Sequence, residues 1–224
     1  MALKLLSGGA AQALVAKMKG NRDVQGTFGA VGAMRDKLLA GEPCDVLILT
    51  QALVDELVQQ GHVVAGSAAP LGVVKTGVAV KSGDAMPDVS TPDALKAALR
   101  KASGIYFPDP VKATAGIHFM KVLKTLGIDA ELRDRIRTFP NGATAMGEMA
   151  KSGERGAIGC TQVTEILHVS GVELVALLPK EFELATVYTA AVCANAGEPV
   201  EAREFVRLLA GDAASAARAQ CGFE

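Results

Sequence analysis

Short apolar runs suited to β-strands alternate along this chain with stretches of helical periodicity, and a glycine closes several of the helical ones. The strand-like runs are 3–6, 24–28, 45–49, 71–81, 104–107, 157–160, 172–178 and 184–193. Between them, Val31, Met34, Leu38 and Leu39 fall on one helical face, and 51–60 and 117–126 read as helices. Gly20, Gly61 and Gly127 stand where helices should end, because glycine tolerates a positive φ. Thr91 followed by Pro92 predicts a helix start: threonine caps, and proline suits the first helical position. Pro140-Asn141-Gly142 marks a turn before a helix ending near Lys151, and 199–219 form an alanine-rich helical tail. This alternation predicts an α/β fold with mixed, mostly parallel sheets and helices on both faces. No Ser/Gly-rich linker is present, so strands must carry the chain between any two lobes. The runs 71–81 and 184–193 are the natural crossings and would serve as a hinge. The expected division is 1–78 with 187–224 as lobe one and 79–186 as lobe two.

The 224 residues allow one large core or two small ones, and the 50% apolar content excludes a disordered chain. A net charge of -1, few aromatic residues and no tryptophan argue against a nucleic-acid partner. No apolar run approaches the roughly 20 residues that span a bilayer, so membrane insertion is not expected. The opening residues lack the basic, apolar and small-residue order of a signal peptide. The chain therefore reads as cytoplasmic as written, or periplasmic if a signal was removed ahead of this numbering. Cys44, Cys160, Cys193 and Cys221 show no Cys-x-x-Cys spacing and read as buried thiols, with no metal site. The Gly-x-Ser-x-Gly elbow, the Walker loop and the Gly-x-Gly-x-x-Gly fingerprint are all missing, so no cofactor is expected.

Four small-residue loops each precede a helix: Ser7-Gly8-Gly9-Ala10, Gly29-Ala30-Val31-Gly32, Thr114-Ala115-Gly116 and Asn141-Gly142-Ala143. In a parallel α/β sheet such loops lie at the carboxyl ends of strands, where ligands bind. Free N–H groups at a helix start favour an anion, and small side chains let it approach the backbone. Glycine also makes tight turns, which suffices to explain any single loop. Their pairing, two in each expected lobe, favours a shared anion site. One helix end contributes up to about 2 kcal/mol, whereas micromolar binding needs about 8. The remainder must come from hydrogen bonds in a dry site, which implies hinged closure over the ligand.

These segments resemble a known family. Ser7-Gly-Gly-Ala, Thr27-Phe-Gly-Ala-Val-Gly-Ala-Met, Cys44-Asp-Val-Leu-Ile-Leu, Asp109, Thr114-Ala-Gly-Ile-His-Phe, Gly153-Glu-Arg-Gly-Ala-Ile-Gly-Cys-Thr-Gln and Val172-Glu-Leu-Val-Ala-Leu-Leu-Pro look like the molybdate-binding-protein-like branch of type II periplasmic binding proteins. The resemblance runs nearly end to end. It implies two α/β lobes joined by crossing strands, a small anionic ligand, and an ABC transporter permease as partner if the chain is exported. Molybdate binders of this branch use serine hydroxyls at positions that correspond here to Gly9 and Val31. With only Ser7 left as a hydroxyl donor, and with Ala30 and Ala115 where related members carry Ser or Thr, a di- or tricarboxylate fits better than a bare tetrahedral oxyanion. The same branch includes aconitate-isomerase-like members, so a cofactor-independent isomerase of an unsaturated carboxylate is the alternative.

The ligand-binding candidates are Ser7, Gly8, Gly9, Ala30, Val31, Lys75, Thr114, Ala115, Gly116, Gly142, Ala143 and Gln162. If the chain is an isomerase, it needs a base near the ligand, and His118 is the best placed. Thr161 and Gln162 follow a strand and can hydrogen-bond a ligand. Tyr188 lies by the return crossing, Cys160 can face the site, and His62 and His168 read as structural.

Overall fold

The computed structural model describes residues 2–224. Its elements are β1 (Leu3–Gly8), α1 (Gln12–Met18), β2 (Val24–Gly29), α2 (Val31–Leu39), β3 (Val46–Thr50), α3 (Gln51–Gln59) and β4 (Ala69–Lys81). There follow α4 (Pro92–Lys101), β5 (Ile105–Pro108), α5 (Thr114–Thr125), β6 (Ile136–Phe139), α6 (Gly142–Lys151), β7 (Ile158–Gln162) and α7 (Val163–His168). The chain ends with β8 (Val172–Leu177), β9 (Ala185–Val192), α8 (Pro199–Ala210) and α9 (Ser215–Gln220). Two compact units result: Met1–Val74 with Thr186–Glu224, and Lys75–Ala185. Their boundaries fall inside β4 and β9, so strands rather than a loop carry the chain from one unit to the other.

In the first unit β1 lies between β2 and β3, parallel to both, and β9 runs antiparallel beside β3. β1 and β3 are almost wholly buried, as expected of central strands covered on both faces. Leu5, Leu47, Ile48, Leu14, Val54, Phe205 and Leu209 belong to its single core, to which α1, α3 and α8 contribute. In the second unit β5 lies between β6 and β7, parallel to both, while β4 runs antiparallel to β7 and to β8. Strand side chains alternate between faces, and this sheet shows it. Val78, Val80, Ile105, Phe107, Ile158 and Cys160 pack with Leu95 and Leu99 of α4 and Phe119 and Leu123 of α5. Ala79 and Tyr106, one residue out of phase, pack with Met146 and Met149 of α6 and Ile166 of α7. Helices thus cover both faces of this sheet.

Gly20, Gly61 and Gly127 end helices with φ of 55°, 77° and 66°, and the Thr91 hydroxyl caps α4 by accepting from the Ala94 N–H at 3.1 Å. Two expectations need correction. The tail is two helices, because Gly211 is extended (φ -74°, ψ 172°) and a Cβ there would lie 2.7 Å from the Arg207 carbonyl. Thr114, Ala115 and Gly116, read from the sequence as a loop, form the first turn of α5, and Gly142 and Ala143 the first turn of α6. Neither proline nor a strong N-cap announces the α5 start, which explains why periodicity alone placed it late.

Candidate functional site

At the carboxyl ends of the parallel strands in the first unit, Gly8 stands opposite Gly29 and Ser7 opposite Ile48. Three connections therefore open from one edge: the 3-10 turn Gly9–Ala11, the start of α2 and the start of α3. Tyr188 joins them from β9, opposite Thr50. Gly8, Gly9, Ala30 and Val31 are all buried. A Cβ on Gly8 would lie 2.8 Å from Val31 Cγ1 and 3.0 Å from a Tyr188 ring carbon, so this glycine is required by protein packing. Ser7 is fully buried, and its hydroxyl donates to the Gly8 carbonyl at 2.8 Å. Beside Tyr188, the Thr189 hydroxyl donates to Gln51 Oε1 at 2.5 Å. α2 opens after extended Ala30 with no side chain capping its first amides.

In the second unit, Pro108 of β5 stands opposite Phe139 of β6, and Gln162 closes the parallel strand β7. The starts of α5 and α6 lie at this carboxyl edge, yet their amides are used differently. At α6 the Asn141 side chain accepts from the Thr144 N–H at 2.8 Å. The Glu165 carboxylate accepts from the Gly142 N–H at 3.2 Å and from the Thr161 hydroxyl at 2.6 Å, and a bond from the Ala143 N–H adds to these. The chain thus supplies its own anion to this helix end. A Cβ on Gly142 would overlap Thr161 Oγ1 and Glu165 Oε2, so glycine is obligatory there. Burial pushes the Glu165 carboxyl above the usual carboxylate range, outweighing the opposite pull of its donors.

α5 is different. Its N-cap residue is Ala113, and no side chain caps its first turn. Asp109 is engaged elsewhere, accepting from the N–H groups of Val111 and Lys112 at 2.7 and 3.0 Å. Ala115 and Gly116 are buried, and Gly116 packs against the carbonyls of Pro108 and Asp109, where a Cβ would overlap both. Four residues into α5, His118 Nε2 lies 2.8 Å from the Phe182 carbonyl oxygen. That oxygen only accepts, so Nε2 is the donor, which leaves Nδ1 as the ring nitrogen outside this bond.

The most informative group is Gln162. It is 2% exposed, and neither its Nε2 nor its Oε1 has a hydrogen-bond partner among the described residues. Its register partner on β4 is Thr76, 1% exposed, whose hydroxyl is equally without a partner. Directly opposed residues of an antiparallel pair share a face, so these two side chains are neighbours. They fall on the α4 and α5 face of the sheet with Val78 and Cys160, whereas Thr161 points under α6 with Glu165. The Thr164 hydroxyl, 1% exposed, is also without a partner. A buried amide without partners costs roughly 1–3 kcal/mol, and ordinary cores avoid this. These unpartnered groups mark the candidate site.

Of the other residues read from the sequence, Lys75 Nζ is 3.9 Å from Glu183 Oε2. Cys160 is fully buried in the core beneath α4 and α5, and burial pushes its thiol up. Thr76 and Glu165 were missed. Thr76 is a polar residue inside an apolar crossing strand, and Glu165 follows Thr161 by one helical turn. Among the described residues, no group of three or more His, Cys, Asp or Glu can hold a metal ion, and no helix is long and apolar enough to cross a membrane.

A sequence profile described as bacterial extracellular solute-binding protein matches residues 9–224. An aconitate isomerase from a Pseudomonas species is 30% identical over 186 residues, which cover 82% of this chain and 69% of that protein. The periplasmic molybdate-binding protein of Azotobacter vinelandii superposes with a TM-score of 0.81 at 18% identity, over 99% of this chain and 98% of that one. A sulfate-binding protein of Mycobacterium tuberculosis gives 0.73 at 16% identity, over 100% of this chain and 86% of the other.

Proposed function

Given that the chain belongs to the bacterial extracellular solute-binding protein family and has the type II periplasmic-binding fold, we propose that it binds a small anion, a di- or tricarboxylate in preference to a molybdate-type oxyanion. The observation that carries this reading is the buried, unpartnered carboxamide of Gln162 beside Thr76, at the edge where α5 opens uncapped. The uncapped start of α5 supplies at most about 2 kcal/mol. Micromolar affinity needs about 8 kcal/mol, and two or three bonds to a charged oxygen, at about 1.5–3 kcal/mol each, make up the difference. Gln162 Nε2 and the Thr76 hydroxyl are the donors that can form them.

The preference for a carboxylate rests on buried methyl groups at helix starts within each unit. Ala30, Val31 and Ala115 are buried at helix starts, and the Ser7 hydroxyl is turned onto its own chain. Few hydroxyls remain to surround a tetrahedral oxyanion, whereas the carbon skeleton of a carboxylate matches the apolar lining. Described family members are extracellular, so an exported form delivering its ligand to an ABC transporter permease belongs to the same reading.

Gln162→Met tests it. The substitution keeps volume but removes both polar ends. Taking away an unpaired buried amide is neutral or stabilising, so the unliganded melting temperature should hold or rise. Carboxylate affinity should fall by about tenfold or more, read by calorimetry. Unchanged affinity would remove Gln162 from the site.

A second reading is favoured by the 30% identical aconitate isomerase: a cofactor-independent isomerase that moves a proton between carbons of an unsaturated carboxylate. His118 is the candidate base, with Nδ1 available to take the proton because Nε2 is held by the Phe182 carbonyl. Incubation with trans-aconitate should then yield the cis isomer, and His118→Ala should abolish conversion while keeping most of the binding. No conversion at high protein concentration would leave binding alone.

A further inference from the structure

Cys44 and Cys193 meet at the end of the first unit's sheet opposite its helix-start edge. Cys44 lies just ahead of β3 and Cys193 just after β9, and these antiparallel strands set Val46 opposite Val192. The Cys193 N–H donates to the Asp45 carbonyl at 3.0 Å, so the pairing continues to Cys193, beside the residue that follows Cys44. The Cys44 thiol donates to the Val46 carbonyl at 3.1 Å, and the Cys44 side chain is near enough to push the Cys193 thiol up. Both cysteines line one cavity of about 250 Å³, with His62 and Pro43 among its other walls. Neither of the other cysteines shares this arrangement: Cys160 lies in the core of the second unit, and Cys221 follows α9.

We propose that Cys44 and Cys193 form a reversible disulfide in the oxidising surroundings in which members of this family work. The oxidant is a small-molecule disulfide such as oxidised glutathione. One cysteine loses its proton and attacks a glutathione sulfur, releasing one glutathione thiol. The second cysteine loses its proton and attacks the mixed disulfide, releasing the other. Two protein thiols are oxidised to one S–S bond, and one glutathione disulfide is reduced to two thiols. The two cysteines border one cavity at the end of the same strand pair, so the second attack is a reaction between neighbours. The Cys44 side chain, burial and the nearby Asp45 carboxylate hold the Cys193 thiol up, so the reaction is slow and the pair can also be isolated reduced. The cross-link would enclose the whole of Lys75–Ala185 in one covalent loop, restricting the unfolded chain.

The test is equilibration of the purified protein with excess oxidised glutathione, then digestion without reductant and mass spectrometry. The expected result is a Cys44 peptide joined to a Cys193 peptide, with Cys160 and Cys221 still free. The melting temperature should rise by roughly 5–10 °C and return on reduction. Cys193→Ser should show neither the joined peptide nor the rise. Separate peptides, glutathione retained on either cysteine, or a rise that persists in Cys193→Ser would each overturn the proposal.

Discussion

Glu165 shows how one residue changes the meaning of its neighbours. Its carboxylate takes amides at the start of α6 that a small-residue loop seems to offer to a ligand. It is buried, and its carboxyl is held above the ordinary range by that burial. A group whose pKa is raised on folding binds its proton more tightly in the folded chain. Its stabilising contribution is complete below the ordinary glutamate pKa and is lost as pH rises through the raised value. In Glu165→Gln this dependence should disappear. The melting temperature should decline less steeply over that window than in the wild type, as scanning calorimetry across pH would show. Parallel declines would mean that Glu165 does not titrate there.

At the scale of elements, the uncapped start of α5 is the feature on which the proposed site depends. Thr114 is the first helical residue of α5, where proline is well tolerated and has no N–H to give. Ala113 before it is already extended (φ -101°, ψ 128°), as a residue preceding proline must be. Thr114→Pro should therefore leave the unliganded melting temperature nearly unchanged while weakening carboxylate binding several-fold by calorimetry. Full retention of affinity would show that this helix end does not serve the ligand. Strands and helix stops were legible in the sequence because period and glycine placement are local signals, as Gly20, Gly61 and Gly127 illustrate. The glycines at Gly8, Gly116 and Gly142 were recognised, but their reason was not. Each faces protein atoms brought close only by tertiary packing. The pairing of Thr76 with Gln162 was equally hidden, since it depends on the register of strands far apart in the chain.

At the scale of the whole molecule, the proposed reading is that the uncapped start of α5 and the unpartnered buried amide of Gln162 hold a carboxylate. Titration calorimetry of the purified chain against citrate, cis- and trans-aconitate, sulfate and molybdate tests it most directly. Saturable binding of a carboxylate, at least tenfold tighter than either oxyanion, is the predicted result. Tight binding of molybdate or sulfate with no carboxylate response, or no binding of any of the five, would contradict it.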